Sequence, residues 1–266
     1  MIFCIDVGNT HTVLCLTDTD NIIHDWRIRT DSRITADELY VTIFTLFKIA
    51  KLSSDSVSAI VVSSVVPPVT NIIKELAVNY FNISPVIANS STDIGMPIKC
   101  INPATVGADR IVNAAGAYEK YHTSMIIIDF GTATTFDCVS INGEFMGGVI
   151  APGAVIASEA LFNSTSQLPK VNIFTPPKDI IAQDTVNSIK AGILYGYTGL
   201  VDGIVKRMKK EMDSDPMVIA TGGLAHIFSD LSETINTVEK FLTIHGLMTI
   251  FKKISQSHNP LKDPPG

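Results

Sequence analysis

Two segments of the chain place an aspartate two residues ahead of a glycine, followed by small polar side chains. The matching positions are Asp6, Gly8 and Asn9 in "DVGNT" (6–10) and Asp129, Gly131 and Thr132 in "DFGTATT" (129–135). A glycine-rich turn between two strands can expose consecutive backbone N–H groups, which form an anion-binding concavity. One such turn is ordinary turn chemistry. Two copies at matching places favour phosphate binding.

A carboxylate beside a phosphate repels it unless a cation lies between them. Asp6 and Asp129 are therefore interpreted as direct or water-mediated partners of Mg²⁺ or another cation. The chain contains neither the GxxxxGK[ST] P-loop nor the GxGxxG dinucleotide fingerprint. If ATP is the ligand, another phosphate-binding architecture must hold it.

Two further motifs could complete such a site. "ATGGLA" (220–225) is a glycine turn after a strand, and it suits close approach to a flat nucleobase, although strand-to-helix turns often need glycine anyway. "VGADR" (106–110) places Asp109 beside Arg110 near the start of an apolar helix. Taken alone, this pair indicates a solvated helix turn with a local ion pair. In a phosphoryl-transfer site, the carboxylate could accept a hydroxyl proton and the guanidinium could hold an anion.

The elements that must position these residues follow a pattern that restarts near residue 125. Apolar periodicity and turn residues predict strands over 2–7, 12–17, 22–30, 58–65 and 84–89, with helices over 35–51, 67–81 and 103–121. Three more strands follow over 125–129, 134–141 and 145–150, then helices over 153–162 and 179–212 and a strand over 217–223. The repeat predicts an α/β fold with two similar halves. A cleft between the halves would bring the two acidic turns face to face.

Composition limits the class of protein. The chain has 266 residues, 46% hydrophobic and 17% charged, which is typical of a globular protein. Its net charge of −6 disfavours nucleic-acid binding. The most apolar stretch, 145–157, is too short for a bilayer, and the N-terminus lacks a basic segment, so neither a membrane span nor a signal peptide is expected. The four cysteines and six histidines show no metal or disulfide pattern, which favours reduced thiols in the cytoplasm.

Six motifs in this order resemble type III pantothenate kinases, from Asp6 to about Ile250. They are "DVGNT" (6–10), "NPATVGADRIVNA" (102–114), "DFGTATTFD" (129–137), "GGVIAPG" (147–153), "SQLPKV" (166–171) and "ATGGLA" (220–225). The resemblance implies the actin, Hsp70 and sugar kinase superfold, with two ribonuclease-H-like halves. The expected halves are 1–115 and 116–254, followed by a disordered tail over 255–266.

The resemblance also implies an activity, which is ATP-dependent phosphorylation of pantothenate to 4′-phosphopantothenate, the first step of coenzyme A synthesis. It implies Mg²⁺, a monovalent cation such as K⁺ or NH₄⁺, and a homodimer. In the second half, the apolar residues that exceed the needs of one helix face would form the interface. These are Leu161, Ile193, Leu194, Tyr195 and Tyr197.

Site roles follow from the same resemblance, position by position. The first phosphate loop comprises Asp6, Val7, Gly8, Asn9, Thr10, His11, Thr12 and Val13, and further ATP contacts are Thr132, Gly222 and Gly223. Pantothenate is expected at Cys100, Gly107, Ala108, Asp109, Arg110 and Thr185, with Asp109 as the catalytic base. Asp129 is expected to bind the monovalent cation and Asp6 to bind Mg²⁺, directly or through water. Cys100 departs from the family, which commonly has a tyrosine just before "NP".

Two alternatives stay open at this point. One is another kinase of the same superfold that acts on a different small hydroxylated substrate, which "VGADR" disfavours. The other is a transcription accessory or protein-binding factor without kinase activity.

Overall fold

The computed structural model describes residues 1–18, 21–90, 92, 94–212 and 214–257. The chain forms two compact units. Unit 1 comprises residues 1–120 and the C-terminal helix that begins at Leu242, and unit 2 comprises residues 121–241.

Unit 1 is built on one five-stranded sheet. Its strands are β1 (Ile2–Val7), β2 (His11–Thr17), β3 (Ile22–Arg29), β4 (Ala59–Ser64) and β5 (Val86–Ala88), and its helices are α1 (Ala36–Ile49), α2 (Pro67–Phe81) and α3 (Ala108–Tyr121). The sheet order is β3-β2-β1-β4-β5. β1, β2 and β3 are antiparallel neighbours, whereas β4 pairs parallel to β1 and β5 parallel to β4.

The alternation of side chains along β1 explains why its residues form a strand in the interior. Phe3, Ile5 and Val7 point to one face and pack in a cluster with α1 and α2, through residues such as Phe47 and Ile73. α1 starts with a capping box at Thr35.

Unit 2 repeats this arrangement. Its strands are β6 (Met125–Phe130), β7 (Ala133–Val139), β8 (Phe145–Pro152), β9 (Met217–Thr221) and β10 (Thr237–Val238), and its helices are α4 (Ala154–Asn163), α5 (Thr185–Glu211) and α6 (Ala225–Ser229). Its sheet order is β8-β7-β6-β9-β10, again an antiparallel meander followed by two parallel strands. The predicted duplication of α/β halves is therefore confirmed.

The C-terminal helix α7 (Leu242–Ser257) belongs to unit 1, although the predicted halves placed 242–254 in the second. α7 lies against β1, β4 and β5. It crosses α3 at two glycines that permit backbone contact: a Cβ on Gly246 would lie 2.0 Å from the Val112 carbonyl oxygen, and one on Gly116 would lie 2.7 Å from the Gly246 nitrogen. Residues 255–257 continue this helix, and the rest of the predicted tail lies outside the described residues.

Two predicted helix starts are wrong for local reasons. The helix predicted from 103 begins at Ala108, because Pro103–Thr105 form a separate 3-10 turn and Val106 is extended. The helix predicted from 179 begins at Thr185, because Asp184 caps it by accepting the Asn187 N–H at 2.9 Å. Within the described ranges, no helix is long and apolar enough to cross a bilayer.

Candidate active site

The first acidic turn joins β1 to β2 and is held by hydrogen bonds of its own backbone. The Gly8 N–H donates to the His11 carbonyl at 3.0 Å. From the end of β3, the Thr30 hydroxyl donates to the Gly8 carbonyl at 2.8 Å, and the Thr30 N–H donates to the Thr10 carbonyl at 3.0 Å. Asn9, Thr10 and His11 remain exposed. The turn is thus fixed from behind while its front faces solvent.

The flanking residues of the predicted phosphate loop have different surroundings. Asp6 is half-buried, in register with Val13 on β2 and Ser63 on β4. Val7 is a core side chain and Thr12 is buried, with its hydroxyl 2.9 Å from that of Thr30. Val7 and Thr12 can therefore offer a ligand backbone atoms, and the exposed side chains lie between them.

The second acidic turn occupies the equivalent place in unit 2. Asp129 is the last residue but one of β6, as Asp6 is of β1, and it is in register with Thr135 on β7 and Thr221 on β9. The Gly131 N–H donates to the Ala133 carbonyl at 3.1 Å, and Gly131 and Thr132 are exposed.

The third glycine turn lies directly against the second acidic turn. Gly222 has φ +91°, and a Cβ there would lie 2.4 Å from Asp129 Oδ1 and 2.7 Å from the Phe130 nitrogen. Only glycine fits such a position. The structure therefore brings Asp129, Thr132 and Gly222 together at the carboxyl ends of β6 and β9, with Gly223 exposed beside them.

The start of α3 carries the predicted substrate motif. Asp109 is the second residue of α3, and its Oδ1 accepts the Arg110 N–H at 2.8 Å. A Cβ on Gly107 would lie 2.6 Å from that carboxylate oxygen, so glycine leaves room for it. Ala108 is buried, and Gly107 and Arg110 are half-buried.

Burial sets the proton affinity of Asp109. Loss of solvent raises the pKa of its carboxyl above the ordinary value of 3.8. The Arg110 N–H and the positive charge of the Arg110 guanidinium oppose that rise without cancelling it. A carboxylate with a raised pKa is the form of Asp best suited to accept a proton near neutral pH.

The two remaining predicted substrate residues lie in different units. Cys100 is half-buried in unit 1, outside the helices and strands. Thr185 is the exposed first residue of α5 in unit 2. Of the side chains predicted to form a dimer interface, Leu194 and Tyr197 are 0% and 6% exposed and belong to the core of unit 2, so that part of the prediction is wrong.

Two positioning residues were missed by the sequence reasoning. Thr30 closes the first turn, and a Cβ on Gly153 would lie 2.2 Å from the Thr132 carbonyl oxygen, so Gly153 packs directly behind the second turn. Gly153 ends the "GGVIAPG" motif (147–153), but no local pattern links it to Thr132.

The chemistry of the carboxylates fits a cation shared with a phosphate. Within the part of the chain that the structure describes, no three His, Cys, Asp or Glu side chains come together as a metal-binding group. Mg²⁺ commonly keeps several waters and is bound by one or two carboxylates together with substrate phosphates. Single carboxylates such as Asp6 and Asp129 suit that arrangement.

Comparisons with known proteins agree with these features. The family model for type III pantothenate kinase matches residues 2–207. A type III pantothenate kinase from Syntrophus aciditrophicus is 52% identical over 255 residues, which cover 96% of this chain and 100% of the relative.

Solved structures of distant proteins share the fold. A Baf family protein from Campylobacter jejuni, described as a transcriptional activator, aligns over 96% of this chain and 99% of its own, with a TM-score of 0.59 and 16% identity. A ROK hexokinase from Thermus thermophilus aligns over 96% and 99%, with a TM-score of 0.55 and 12% identity. These likenesses confirm the sugar-kinase-type fold alone. The match to the family model and the identity to curated relatives go further: the chain belongs to the type III pantothenate kinase family.

Proposed function

We propose that this chain transfers the γ-phosphoryl group of ATP to the primary hydroxyl of pantothenate, giving 4′-phosphopantothenate and ADP. The observation that carries the proposal is the family match over residues 2–207, a range that includes both acidic turns and the start of α3. This reaction is the first step of coenzyme A synthesis. Reduced cysteines, two of them fully buried, support a cytoplasmic location.

Asp109 is the residue we assign as general base. It accepts the proton of the pantothenate hydroxyl as the oxygen attacks phosphorus, and its raised pKa supports that role. Because the transition state of phosphoryl transfer is loose, positioning of the hydroxyl contributes more than proton removal. Arg110, the next residue along, holds an anionic group of the substrate or offsets charge in the transition state.

The remaining substrate contacts are proposed from family resemblance. Gly107 and Ala108 would offer their backbone around the hydroxyl, and exposed Thr185 would hydrogen-bond pantothenate. Cys100 replaces a polar aromatic side chain with a smaller one, so this pocket would lack one hydroxyl contact.

ATP contacts are proposed at the predicted glycine turns. The exposed side chains of Asn9, Thr10 and His11 suit phosphate oxygens, and Thr132 is a further proposed ATP contact. Gly222 and Gly223 would allow the base to approach the backbone. Asp6 would hold Mg²⁺, directly or through water. When bound, Mg²⁺ neutralises charge on the phosphate oxygens.

Asp129 is our candidate for the monovalent cation, K⁺ or NH₄⁺. Its carboxylate lies beside the Gly222 backbone, at the edge of the sheet where the second turn is exposed. A carboxylate and neighbouring carbonyl oxygens are ligands that suit a hard cation.

A homodimer is supported by an exposed apolar surface on unit 2. The surface comprises Met146, Val149 and Ile150 on β8 and Val155, Ile156, Leu161 and Phe162 on α4, all more than a third exposed. β8 is an edge strand of its sheet. Exposed apolar side chains on an edge strand and the helix that follows it favour association, and a second copy of the chain is the partner we propose.

The decisive experiment is an ADP-release assay with purified protein, Mg²⁺, ATP and pantothenate, with and without K⁺ or NH₄⁺. We expect turnover that depends on pantothenate and rises with the monovalent cation. A panel of sugars and small hydroxy acids serves as the control. Turnover with a panel compound and none with pantothenate would contradict the proposal.

A further inference from the structure

The hydroxyl of Tyr197 lies at the centre of a short hydrogen-bond chain in unit 2. Tyr197 is on α5, and its oxygen lies 2.7 Å from Thr134 Oγ1 and 2.7 Å from the Pro152 carbonyl oxygen. A phenol carries one proton and a carbonyl can only accept. Tyr197 therefore donates to Pro152, and the Thr134 hydroxyl donates to Tyr197. The chain of donors runs in one direction, from β7 through α5 to the end of β8.

Both ends of the Thr134–Tyr197–Pro152 hydrogen-bond chain adjoin the second acidic turn. Thr134 is paired with Phe130 where β7 leaves the turn, two residues after Thr132. Pro152 precedes Gly153, whose N–H donates to the Thr132 carbonyl at 3.2 Å. Gly153 is in such close contact with Thr132 that no side chain would fit between them. The exposed turn is thus held on two sides, and both sides are joined at one hydroxyl.

The contribution of the Tyr197 hydroxyl can be tested separately from the packing of its ring. The Tyr197 ring lies in the core of unit 2, with its centroid 5.1 Å from that of Phe228. Phenylalanine would fill the same space without the oxygen. A buried hydroxyl is unfavourable unless it is bonded, so packing alone gives no reason for tyrosine at this position.

We propose that the Tyr197 hydroxyl is a positioning group for the ATP site, holding the Gly131–Thr132 backbone in the arrangement that receives the phosphates. This inference rests on the proposed function, because it places ATP at Thr132. Tyr197 itself touches no substrate. Without its hydroxyl, the turn samples other arrangements, and the apparent affinity for ATP falls with the fraction of molecules that keep the binding arrangement.

The test compares Tyr197→Phe with wild type by calorimetric titration of a non-hydrolysable ATP analogue with Mg²⁺. We expect roughly 3- to 10-fold weaker binding, which corresponds to the worth of about one hydrogen bond. In steady-state kinetics, KM for ATP should rise by a similar factor while KM for pantothenate stays unchanged. The matched control is Tyr195→Phe, half-buried two residues earlier on the same helix and outside the Thr134–Tyr197–Pro152 chain. It should bind the analogue as wild type does.

Thr134→Val removes the other hydroxyl and keeps the volume of the side chain, so it also serves if Tyr197→Phe folds poorly. If both hydroxyls act through one chain, the double variant should weaken binding no more than the stronger single variant does.

Two outcomes would overturn the inference. One is a Tyr197→Phe variant that loses thermal stability yet binds the analogue as wild type does, since the hydroxyl would then be purely structural. Failure of wild type to bind the analogue would overturn it as well. If wild type binds the analogue but shows no pantothenate-dependent turnover, only the proposed substrate is contradicted. The affinities of wild type and Tyr197→Phe for the analogue still decide the role of Tyr197.

Discussion

Replacement of Asp109 by asparagine separates its proposed role as a base from its place at the start of α3. Asparagine has the same size, and its carbonyl oxygen can still accept the Arg110 N–H that Asp109 Oδ1 accepts at 2.8 Å. The substrate hydroxyl can still be hydrogen-bonded, but its proton cannot be taken. We expect kcat to fall on the order of 10²- to 10⁴-fold. That loss corresponds to about 2.7–5.5 kcal/mol of transition-state stabilisation.

The same substitution should raise the free energy of unfolding at neutral pH, although it lowers kcat. Because burial raises the pKa of Asp109 in the folded protein, the folded state binds the proton more tightly than the unfolded chain does. The resulting contribution to stability is fully present below the ordinary value of 3.8 and is lost as pH rises through the raised folded pKa. At neutral pH the buried charge therefore lowers the free energy of unfolding, and Asp109→Asn should raise it.

The assay is steady-state kinetics over a range of pH, combined with thermal denaturation at neutral pH. Wild-type kcat should fall as pH drops through the raised pKa of Asp109, and the Asn variant should lack this acid limb. Asp37→Asn is the matched control, since Asp37 is also the second residue of its helix, α1, and contacts the Tyr80 hydroxyl instead of a site residue. It should keep wild-type kcat.

A wild-type kcat in the Asn variant, together with reduced thermal stability, would refute the assignment. Asp109 would then only hold the start of α3. Calorimetric titration of pantothenate must show that the Asn variant still binds substrate, because a variant that no longer binds pantothenate cannot report on proton transfer.

Five other substitutions test the crossing of α3 and α7, the two acidic turns and the proposed dimer. Gly246→Ala should lower the free energy of unfolding by about 1–3 kcal/mol, because the added methyl group overpacks against α3. Gly192→Ala on α5 is the control, since a Cβ there would have no atom within 4 Å. In the same denaturation experiment it should be neutral or raise the free energy of unfolding by up to about 1 kcal/mol. Asp6→Ala and Asp129→Ala should each sharply reduce turnover in a folded protein, and normal activity of either one across a range of Mg²⁺ and K⁺ would make that turn purely structural. Ile150→Lys, at a side chain 61% exposed on β8, should give a monomer by light scattering; an unchanged dimer would place the interface elsewhere.

The duplication could be predicted because its signals are local. An apolar strand that ends in Asp-x-Gly, followed by a second strand, reads the same way at residue 6 and at residue 129, and the register of the two hairpins follows from the turns. The carboxylate at the start of α3 was also visible as a motif, since "VGADR" places a charged pair near a helix start, but the motif alone indicated a solvated turn and the half-buried position of Asp109 was not predicted.

Other features depend on contacts that leave no local trace. Gly116 and Gly246 are 130 residues apart in the chain, and neither is distinctive until the two helices cross. Tyr197 looked like an excess apolar residue because its periodicity on α5 cannot show that β7 and β8 both reach its hydroxyl. Two helix starts were wrong for a smaller reason, since residues 103–107 and 179–184 have helical composition but lie outside α3 and α5.

The return of α7 to unit 1 has a consequence for the order in which the newly made chain can fold. The sheet of unit 1 emerges from the ribosome early, but the helix that covers β1, β4 and β5 is made only after the 121 residues from Tyr121 to Phe241. At about 5–20 residues per second, that interval lasts roughly 6–24 s. During it, the sheet face that α7 will cover is open to solvent, whereas unit 2 is made as one continuous segment. Unit 2 can therefore complete its sheet before α7 is made. Unit 1 is synthesised first, but it can complete its fold only after unit 2.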